Sequence, residues 1–302
     1  LFVIAQLVGY TLSKYVGVRL LSELSAALRL RALLATVVFA ELALIAFGAI
    51  SGPWAAVALF FNGLPLGLVW GLVVRSLEGR RSSELLLAGL SASFIVASGA
   101  VKDVGRMLMR FEVSEAWMPA ATGALFLPLF VLAAFALDRL PPPTPEDAAE
   151  RSERRPMAKP ERRALLRRFP LGFFLLFFAY FFLTAYRDFR DNYGVEIFAE
   201  LGYQDEPALF TQTELPVAFA VVVVLGLLNL VRSRRGGLAA TYGVMIAGLL
   251  LLGASTWLRT SGAIHGPTWM TATGLGPYPA YAPYRPGPLA PLLAQPRIRG
   301  TP

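Results

Sequence analysis

The chain has 302 residues, of which 56% are hydrophobic and only 16% are charged, so it is too apolar for an ordinary soluble domain. Its formal charge is +8, but the basic residues lie between apolar blocks rather than along one face, so we expect no nucleic-acid partner. The absence of Cys and the single His exclude disulfides, zinc sites and thiol catalysis, and we expect neither a cofactor nor an enzymatic activity.

The apolar residues gather in blocks of about 18 to 24, which is the length needed to cross about 30 Å of hydrocarbon at about 1.5 Å per residue. We predict an all-α integral membrane protein with about eight or nine transmembrane helices. The last block is rich in Pro, which disfavours a helix interior, so the number of spans is eight without it and nine with it. The blocks cover about 1 to 22, 32 to 50, 54 to 74, 85 to 107, 117 to 137, 169 to 188, 214 to 231, 239 to 258 and 267 to 283.

A Pro-rich and strongly basic segment, residues 139–168, separates the fifth block from the sixth. It predicts a solvated linker between an N-terminal helical half, 1–138, and the start of a C-terminal half, 169–283. The many prolines of 284–302 predict a disordered or aberrant tail. Because Leu1 already lies inside an apolar block, we expect the chain to be a fragment that lacks its first helix, from a protein of twelve helices.

The loops between blocks differ in their basic residues. If the chain begins outside, most Lys and Arg residues fall in the inner loops, and the linker with Arg154 and Arg155 lies inside. Basic residues near span ends are retained in the cytoplasm, so we predict a multi-pass protein of the plasma (inner) membrane with a cytoplasmic linker and lipid contacts.

The first block carries a polar stripe. Gln6, Tyr10, Ser13, Lys14 and Gly17 fall within an arc of about 100° on a helix. A charge at this depth is expensive, so Lys14 is either a snorkelling or ion-paired side chain or, with Tyr10, a ligand for a solute.

Three further blocks each contain one notable polar residue. Glu41 lies near the middle of the second block, where it is either protonated or paired and is a candidate for coupling. Asn62 begins a Gly-rich stretch in the third block, which indicates close helix packing or a cavity lining that contacts solute. Lys102 lies about one turn inside the end of the fourth block and is either snorkelling or a coupling or gating residue.

The sixth block ends in alternating charges. Arg187, Asp188 and Asp191 share one helix face, with Arg187 and Asp191 at the i, i+4 spacing, whereas Arg190 faces away. The cluster is either an interfacial group of salt bridges or an anion-binding site, in which carboxylates hold Arg187 until solute replaces them and Asp188 acts in coupling or gating.

Several motifs resemble known families. The stretch Tyr10 to Glu23 followed by Arg29 resembles the second helix and following loop of the major facilitator superfamily, distantly its organophosphate/phosphate antiporter branch. A wider set resembles an uncharacterised facilitator-like membrane family of unknown function. That set is Asn62 to Gly67, Trp70 and Gly71, Leu77 to Arg81, Trp117 to Pro119, and Tyr186 to Asn192.

The resemblance implies a major-facilitator-like helical bundle. It also implies that Lys14 matches a phosphate-binding lysine of the antiporters and Arg187 their seventh-helix arginine. We therefore expect a secondary transporter that moves a small anionic solute by alternating access around a cavity lined by Lys14, Arg187 and Asp191. The alternative is a receptor or scaffold that no longer transports and uses its basic linker to bind lipid or a partner. No triad or paired Asp motif supports an intramembrane enzyme.

Overall fold

A computed structural model describes residues 1–77, 83–141, 144, 159–206, 208–231 and 233–278. These residues form eleven α-helices and no β-strand, and a short 3-10 turn, Gly52–Trp54, precedes the third helix. The helices are α1 (Phe2–Glu23), α2 (Ala26–Ala49), α3 (Ala55–Leu77), α4 (Ser83–Arg110), α5 (Met118–Asp138), α6 (Lys159–Arg168), α7 (Pro170–Asn192), α8 (Gly194–Glu200), α9 (Leu209–Asn229), α10 (Arg234–Thr260) and α11 (Gly266–Leu275).

Six segments are long and apolar enough to cross a membrane, and the described residues form only helices. Both findings support the prediction of an all-α, multi-pass membrane protein. The helices α1 and α4, of 22 and 28 residues, carry more polar side chains and are not among the six, so their predicted role as spans stays a prediction, as does the twelve-helix bundle. The six are Leu28–Ala49, Gly52–Leu77, Met118–Asp138, Pro170–Asn192, Leu209–Leu228 and Ala239–Thr260.

Two compact units divide the chain. The first comprises Leu1–Ser83 and Val101–Arg151, and the second comprises Glu84–Ala100 and Ser152–Pro302. Helix α4 contributes its beginning to the second unit and its end to the first. Most of the predicted linker, the whole of the predicted tail 284–302, and Arg80, Arg81, Arg154 and Arg155 lie outside the described residues.

The first unit depends on close contact between α1 and α3. A Cβ added to Gly63 would run into the carbonyl oxygen of Gln6, and one added to Gly67 would run into the Ser13 hydroxyl. A Cβ on Gly9 would likewise meet the carbonyl of Phe60 on α3. Small residues let two helix backbones approach, and this contact replaces the hydrophobic driving force that lipid does not supply between helices.

The second unit packs around α9. Ala92 and Ile95 of α4 contact Val217, Ala218 and Val221 of α9, and all five side chains are buried. A second buried cluster joins α8, α9 and α11, where the rings of Phe198 and Phe210 meet edge to face at 5.1 Å. Helix α9 is therefore packed against helices from three parts of the chain.

Apolar side chains also cover the outer surfaces of the spans. On α7 a stripe of phenylalanines is exposed, and Phe174 and Phe178 stack with their ring centroids 5.9 Å apart. Exposed apolar surface on this scale is typical of helices that face lipid. The stripe consists of Phe174, Phe177, Phe178, Phe181 and Phe182.

The close contact between α1 and α3 predicts that one methyl group added at Gly63 lowers the stability of the protein. Gly63→Ala should destabilise the protein by about 1–3 kcal/mol, because the new Cβ meets the rigid backbone of α1. Gly243→Ala on α10 is the matched control, since nothing lies within 4 Å of its added Cβ. Thermal unfolding in detergent measures both, and equal midpoints would contradict the close contact.

The span Met118–Asp138 predicts that its two ends lie on opposite sides of the membrane. The chain has no Cys, so Ser114→Cys and Arg139→Cys each provide a unique label, and both positions are exposed. A membrane-impermeant maleimide should label Ser114→Cys from outside and Arg139→Cys only in inside-out vesicles. Labelling of both positions from one side would contradict the span.

Candidate functional site

In the first unit the structure brings Lys14 and Tyr10 together. The Lys14 side chain is exposed, and its Nζ lies 4.3 Å from the centre of the Tyr10 ring, one turn earlier on α1. A cation over an aromatic face is stabilised by the ring quadrupole. The ring holds the ammonium while the exposed side chain stays open to a further ligand, so the arrangement is compatible with the predicted solute-binding role.

Asn62 joins three helices. Its side chain is 2% exposed, its Oδ1 accepts a hydrogen bond of 2.7 Å from Gln6 Nε2 on α1, and its Nδ2 donates one of 2.9 Å to the Ala40 carbonyl on α2. A buried amide with donor and acceptor both used stabilises its surroundings. These contacts favour the packing alternative for Asn62 over the solute-binding one.

Glu41 and Lys102 occupy other parts of the first unit. The half-buried Glu41 of α2 lies against Gly123 of α5, where an added Cβ would meet the Glu41 carboxylate. Gly123 thus provides the space for this carboxylate in an apolar span. Lys102 of α4 is half-buried. The candidate coupling roles of both residues stay predictions.

In the second unit Arg187 forms an ion pair with the next residue. Arg187 Nη2 and Nε lie 2.7 and 3.1 Å from the same carboxylate oxygen of Asp188, and the two side chains are 26% and 42% exposed. An ion pair with this much exposure contributes little to stability and is open to competing ions. Arg187 is therefore a guanidinium that an anion can reach within an apolar span.

Asp191 connects α7 to two other segments. Its Oδ1 accepts from the Ser98 hydroxyl of α4, and its Oδ2 accepts from the Tyr278 hydroxyl beyond α11, each at 3.4 Å. These hydroxyl donors lie at the long end of hydrogen-bond distances. The Asp191 carboxylate is thus held where α4, α7 and the end of the described chain meet.

Arg190 is the buried charge of this helix. Its Nη1 lies 2.5 Å from Glu214 Oε1 of α9, and the two side chains are only 4% and 6% exposed. Its Nη2 donates a hydrogen bond of 2.9 Å to the Met270 carbonyl of α11, and the Tyr278 ring lies 5.9 Å from its guanidinium carbon. One side chain therefore links α7, α9 and α11.

The surrounding residues are shaped to admit Arg190. Gly274 of α11 faces it so closely that an added Cβ would lie 2.9 Å from both Arg190 Nη2 and Val217. A larger residue at position 274 would compete with the guanidinium for space. Glycine at this position is therefore part of the Arg190 site.

Sequence reasoning missed the pair of Arg190 and Glu214. The helical wheel placed Arg190 off the polar face of its helix, and the predicted seventh block began at 214, which put Glu214 at a helix end. The structure starts α9 at Leu209, so Glu214 lies more than one turn inside it. Two opposite charges in adjacent apolar blocks were the available signal, but a wheel cannot show that a neighbouring helix carries the partner.

Two open cavities lie in the separate units. One of about 400 Å³ in the first unit is apolar and lies between α1, α2 and α3, next to Ser13 and Pro65. One of about 420 Å³ in the second unit lies between α9 and α11 and is lined by Gln212, Thr213 and Thr271 among others. Within the described ranges no group of three or more His, Asp or Glu side chains could hold a metal ion.

A family model described as a family of unknown function (DUF5690) matches residues 1–301. No curated protein matches the chain, and no solved structure does. The predicted resemblance to an uncharacterised family of unknown function is confirmed, because the match runs along almost the whole chain, whereas its likeness to the major facilitator superfamily stays a prediction. These comparisons do not link the chain to the organophosphate/phosphate antiporters, so that part of the resemblance stays a prediction.

Because Arg190 is buried and Arg187 is partly exposed, replacing each by Ala should lower the free energy of unfolding by a different amount. Arg190→Ala should lower the free energy of unfolding by about 3–5 kcal/mol, because it leaves the Glu214 carboxylate buried without its counterion. Arg187→Ala should lower it by less than about 1 kcal/mol, since Asp188 is solvated. Unfolding in detergent measures both variants. Equal losses would contradict the assignment of Arg190 as the structural charge.

Proposed function

The chain belongs to the family of unknown function DUF5690, and from its site we propose that it is a secondary transporter that moves a small anionic solute across a membrane. One observation carries the proposal: Arg187, inside a span apolar enough to cross the membrane, is partly exposed and pairs with a carboxylate that is itself partly exposed. Charged residues in such segments usually serve transport or binding, because their insertion is unfavourable.

Arg187 is suited to bind an anion. A guanidinium offers two parallel N–H donors to a carboxylate or phosphate, and Arg187 Nε and Nη2 now both donate to a single Asp188 oxygen. A solute anion would take the place of the Asp188 carboxylate. We assign Asp188 a gating role on this basis, because its release frees it to bind another cation or water.

Lys14 supplies the corresponding basic group of the first unit. It is exposed and is positioned by Tyr10, and α1 is fixed to α3 by close glycine contacts, so the ammonium is presented from a rigid helix. Two compact helical units, with Lys14 exposed in the first and Arg187 partly exposed in the second, suit alternating access, in which helical halves move relative to one another. The major-facilitator-like bundle is part of this proposal, as is a coupling role for Glu41 and Lys102.

We assign the protein no catalytic role and no cofactor, and we place it in the plasma (inner) membrane with the central linker in the cytoplasm. Its proposed partners are the solute and membrane lipids. The receptor or scaffold alternative predicts binding without movement of a solute. Transport measurements therefore distinguish the two functions.

The proposal predicts anion uptake that depends on two basic residues. Purified protein in proteoliposomes should take up radiolabelled inorganic phosphate or sn-glycerol 3-phosphate, and Lys14→Ala and Arg187→Ala should each lower the rate about tenfold or more. Each variant loses a charge-assisted hydrogen bond to the anion, which is worth about 1.5–3 kcal/mol. Arg139→Ala, at an exposed position beyond α5, is the control and should transport as the parent does.

Uptake that both variants leave unchanged would remove Lys14 and Arg187 from the mechanism. If neither probe nor a wider panel of organic carboxylates enters the vesicles, the transporter proposal fails. Specific binding of a cytoplasmic partner by the same preparation would then favour the receptor or scaffold.

A further inference from the structure

The sequence leaves two states open for Glu41 of α2, a protonated acid or an ion-paired carboxylate. Among the described residues, Glu41 has no hydrogen-bond or ion-pair partner. Its carboxyl group lies against Gly123 of α5, which has no side chain to bind it. The structure therefore favours the protonated state over the paired one.

Glu41 lies deep within the span Leu28–Ala49. At about 1.5 Å per residue, its position on α2 is roughly 20 Å from Leu28 and roughly 12 Å from Ala49 along the helix axis. A Glu side chain is too short to reach the polar headgroups from that depth, unlike the long side chains of Lys and Arg. An ionised Glu41 would therefore lie in hydrocarbon, which favours the neutral acid.

The helices packed against α2 place no counterion at the depth of Glu41. Those helices are α3 and α5. The charged residues of the three helices other than Glu41 lie toward the end at which α2 begins and α3 and α5 end, and they are Arg29, Arg31, Arg75 and Asp138. Along the helix axes, Arg31 is roughly 15 Å from Glu41, and Asp138 is roughly 22 Å from Gly123.

The charged residues of α1 and α4 have other partners. The Lys14 ammonium of α1 lies 4.3 Å from the centre of the Tyr10 ring on its own helix. Three charged residues near the end of α4 interact with groups other than Glu41, and these are Lys102, Asp103 and Arg106. Neither helix therefore neutralises a Glu41 carboxylate.

A proton suits this position better than a metal cation. Hard metal ions need several oxygen ligands. Glu41 belongs to no group of three or more His, Asp or Glu side chains in the part of the chain that the structure describes. A proton needs only one oxygen atom, which Glu41 itself supplies.

Glu41 lies at the edge of the buried face of α2. Its neighbours Ala40 and Ala43 are buried, whereas Leu42 is 58% exposed. Glu41 itself is half-buried. A hydrophobic reagent dissolved in the lipid can therefore reach this carboxyl group, whereas a reagent confined to water cannot.

We propose that Glu41 is a proton-binding site within the membrane, neutral at neutral pH, and that its proton is the coupling ion of the protein. The second part rests on the proposed transport function, whereas the first does not. An ionised Glu41 is stable only where water reaches it, so movement of this carboxyl through hydrocarbon carries the proton with it. The proton comes from water, bonds to one Glu41 carboxylate oxygen, and returns to water on the other side of the membrane.

Dicyclohexylcarbodiimide, a hydrophobic reagent for protonated carboxyl groups, tests the proton site without any solute. The acid gives its proton to a carbodiimide nitrogen while its oxygen bonds to the central carbon, and the acyl group then migrates to nitrogen as a stable N-acylurea. In liposomes at neutral pH, Glu41 should react about tenfold or more faster than Glu115, an exposed carboxylate before α5. Mass spectrometry of peptides measures both rates in one sample.

Two variants and one ion control this labelling. Glu41→Gln should remove the label from its peptide, whereas Glu115→Gln should leave the labelling of Glu41 unchanged. A membrane-impermeant, water-soluble carbodiimide should show the reverse preference and modify Glu115 first. Equal rates at the two positions would overturn the proton site, as would protection of Glu41 by sodium ions at constant pH, which would indicate a bound metal cation.

Proteoliposomes then test coupling. In the parent protein an imposed proton gradient should drive accumulation of radiolabelled inorganic phosphate, or of the anion that the wider panel identifies, and a trapped pH dye should report proton entry with it. Glu41→Gln resembles the permanently protonated acid. It should still exchange anion for anion, but it should lose about tenfold or more of the gradient-driven accumulation.

The outcomes separate the two proposals. Anion uptake by the parent protein that a proton gradient leaves unchanged would overturn coupling while leaving the transport function and the proton site intact, and this measurement requires no variant. Selective labelling of Glu41 in a protein that takes up no anion would support the proton site and overturn the coupling together with the proposed function.

Discussion

The scarcity of water in the hydrocarbon of a membrane is the constraint on which the described structure depends. Backbone polar groups that water cannot satisfy must pair within the chain, and the described residues do this by forming helices alone. The same constraint acts on side chains. Asn62 uses both ends of its amide, and Arg190 is held by a carboxylate and a carbonyl on two other helices. Polar groups inside these helices therefore become links between helices.

The two units use different devices to hold helices together. In the first, glycines of α3 let its backbone touch α1, and Asn62 fixes the register of the contact. In the second, apolar side chains of α4 and α9 interlock, and the buried pair of Arg190 and Glu214 adds α7 and α11. Dispersion and hydrogen bonding act in both cases, because lipid competes with any purely apolar attraction between helices.

The charged residues of α7 differ in how exposed they are to solvent. Arg187 and Asp188 are partly exposed, whereas Arg190 is buried against α9 and α11, where its pairing with Glu214 is structural. Arg187 and Arg190 are three positions apart on the same helix, so the difference in their exposure comes from the helices packed against Arg190.

The sequence by itself determined that this is an all-α, multi-pass membrane chain, because blocks of apolar residues long enough to cross hydrocarbon have no other stable conformation there. It also identified Lys14, Asn62 and Arg187 as polar residues that need an explanation. Only the tertiary structure decided which neighbours satisfy them: Asn62 bridges three helices, and Arg190, which the wheel set aside, is the buried charge. A helical period fixes which residues share a face, but the partner of a buried charge lies on another helix, and its position depends on packing between distant parts of the chain.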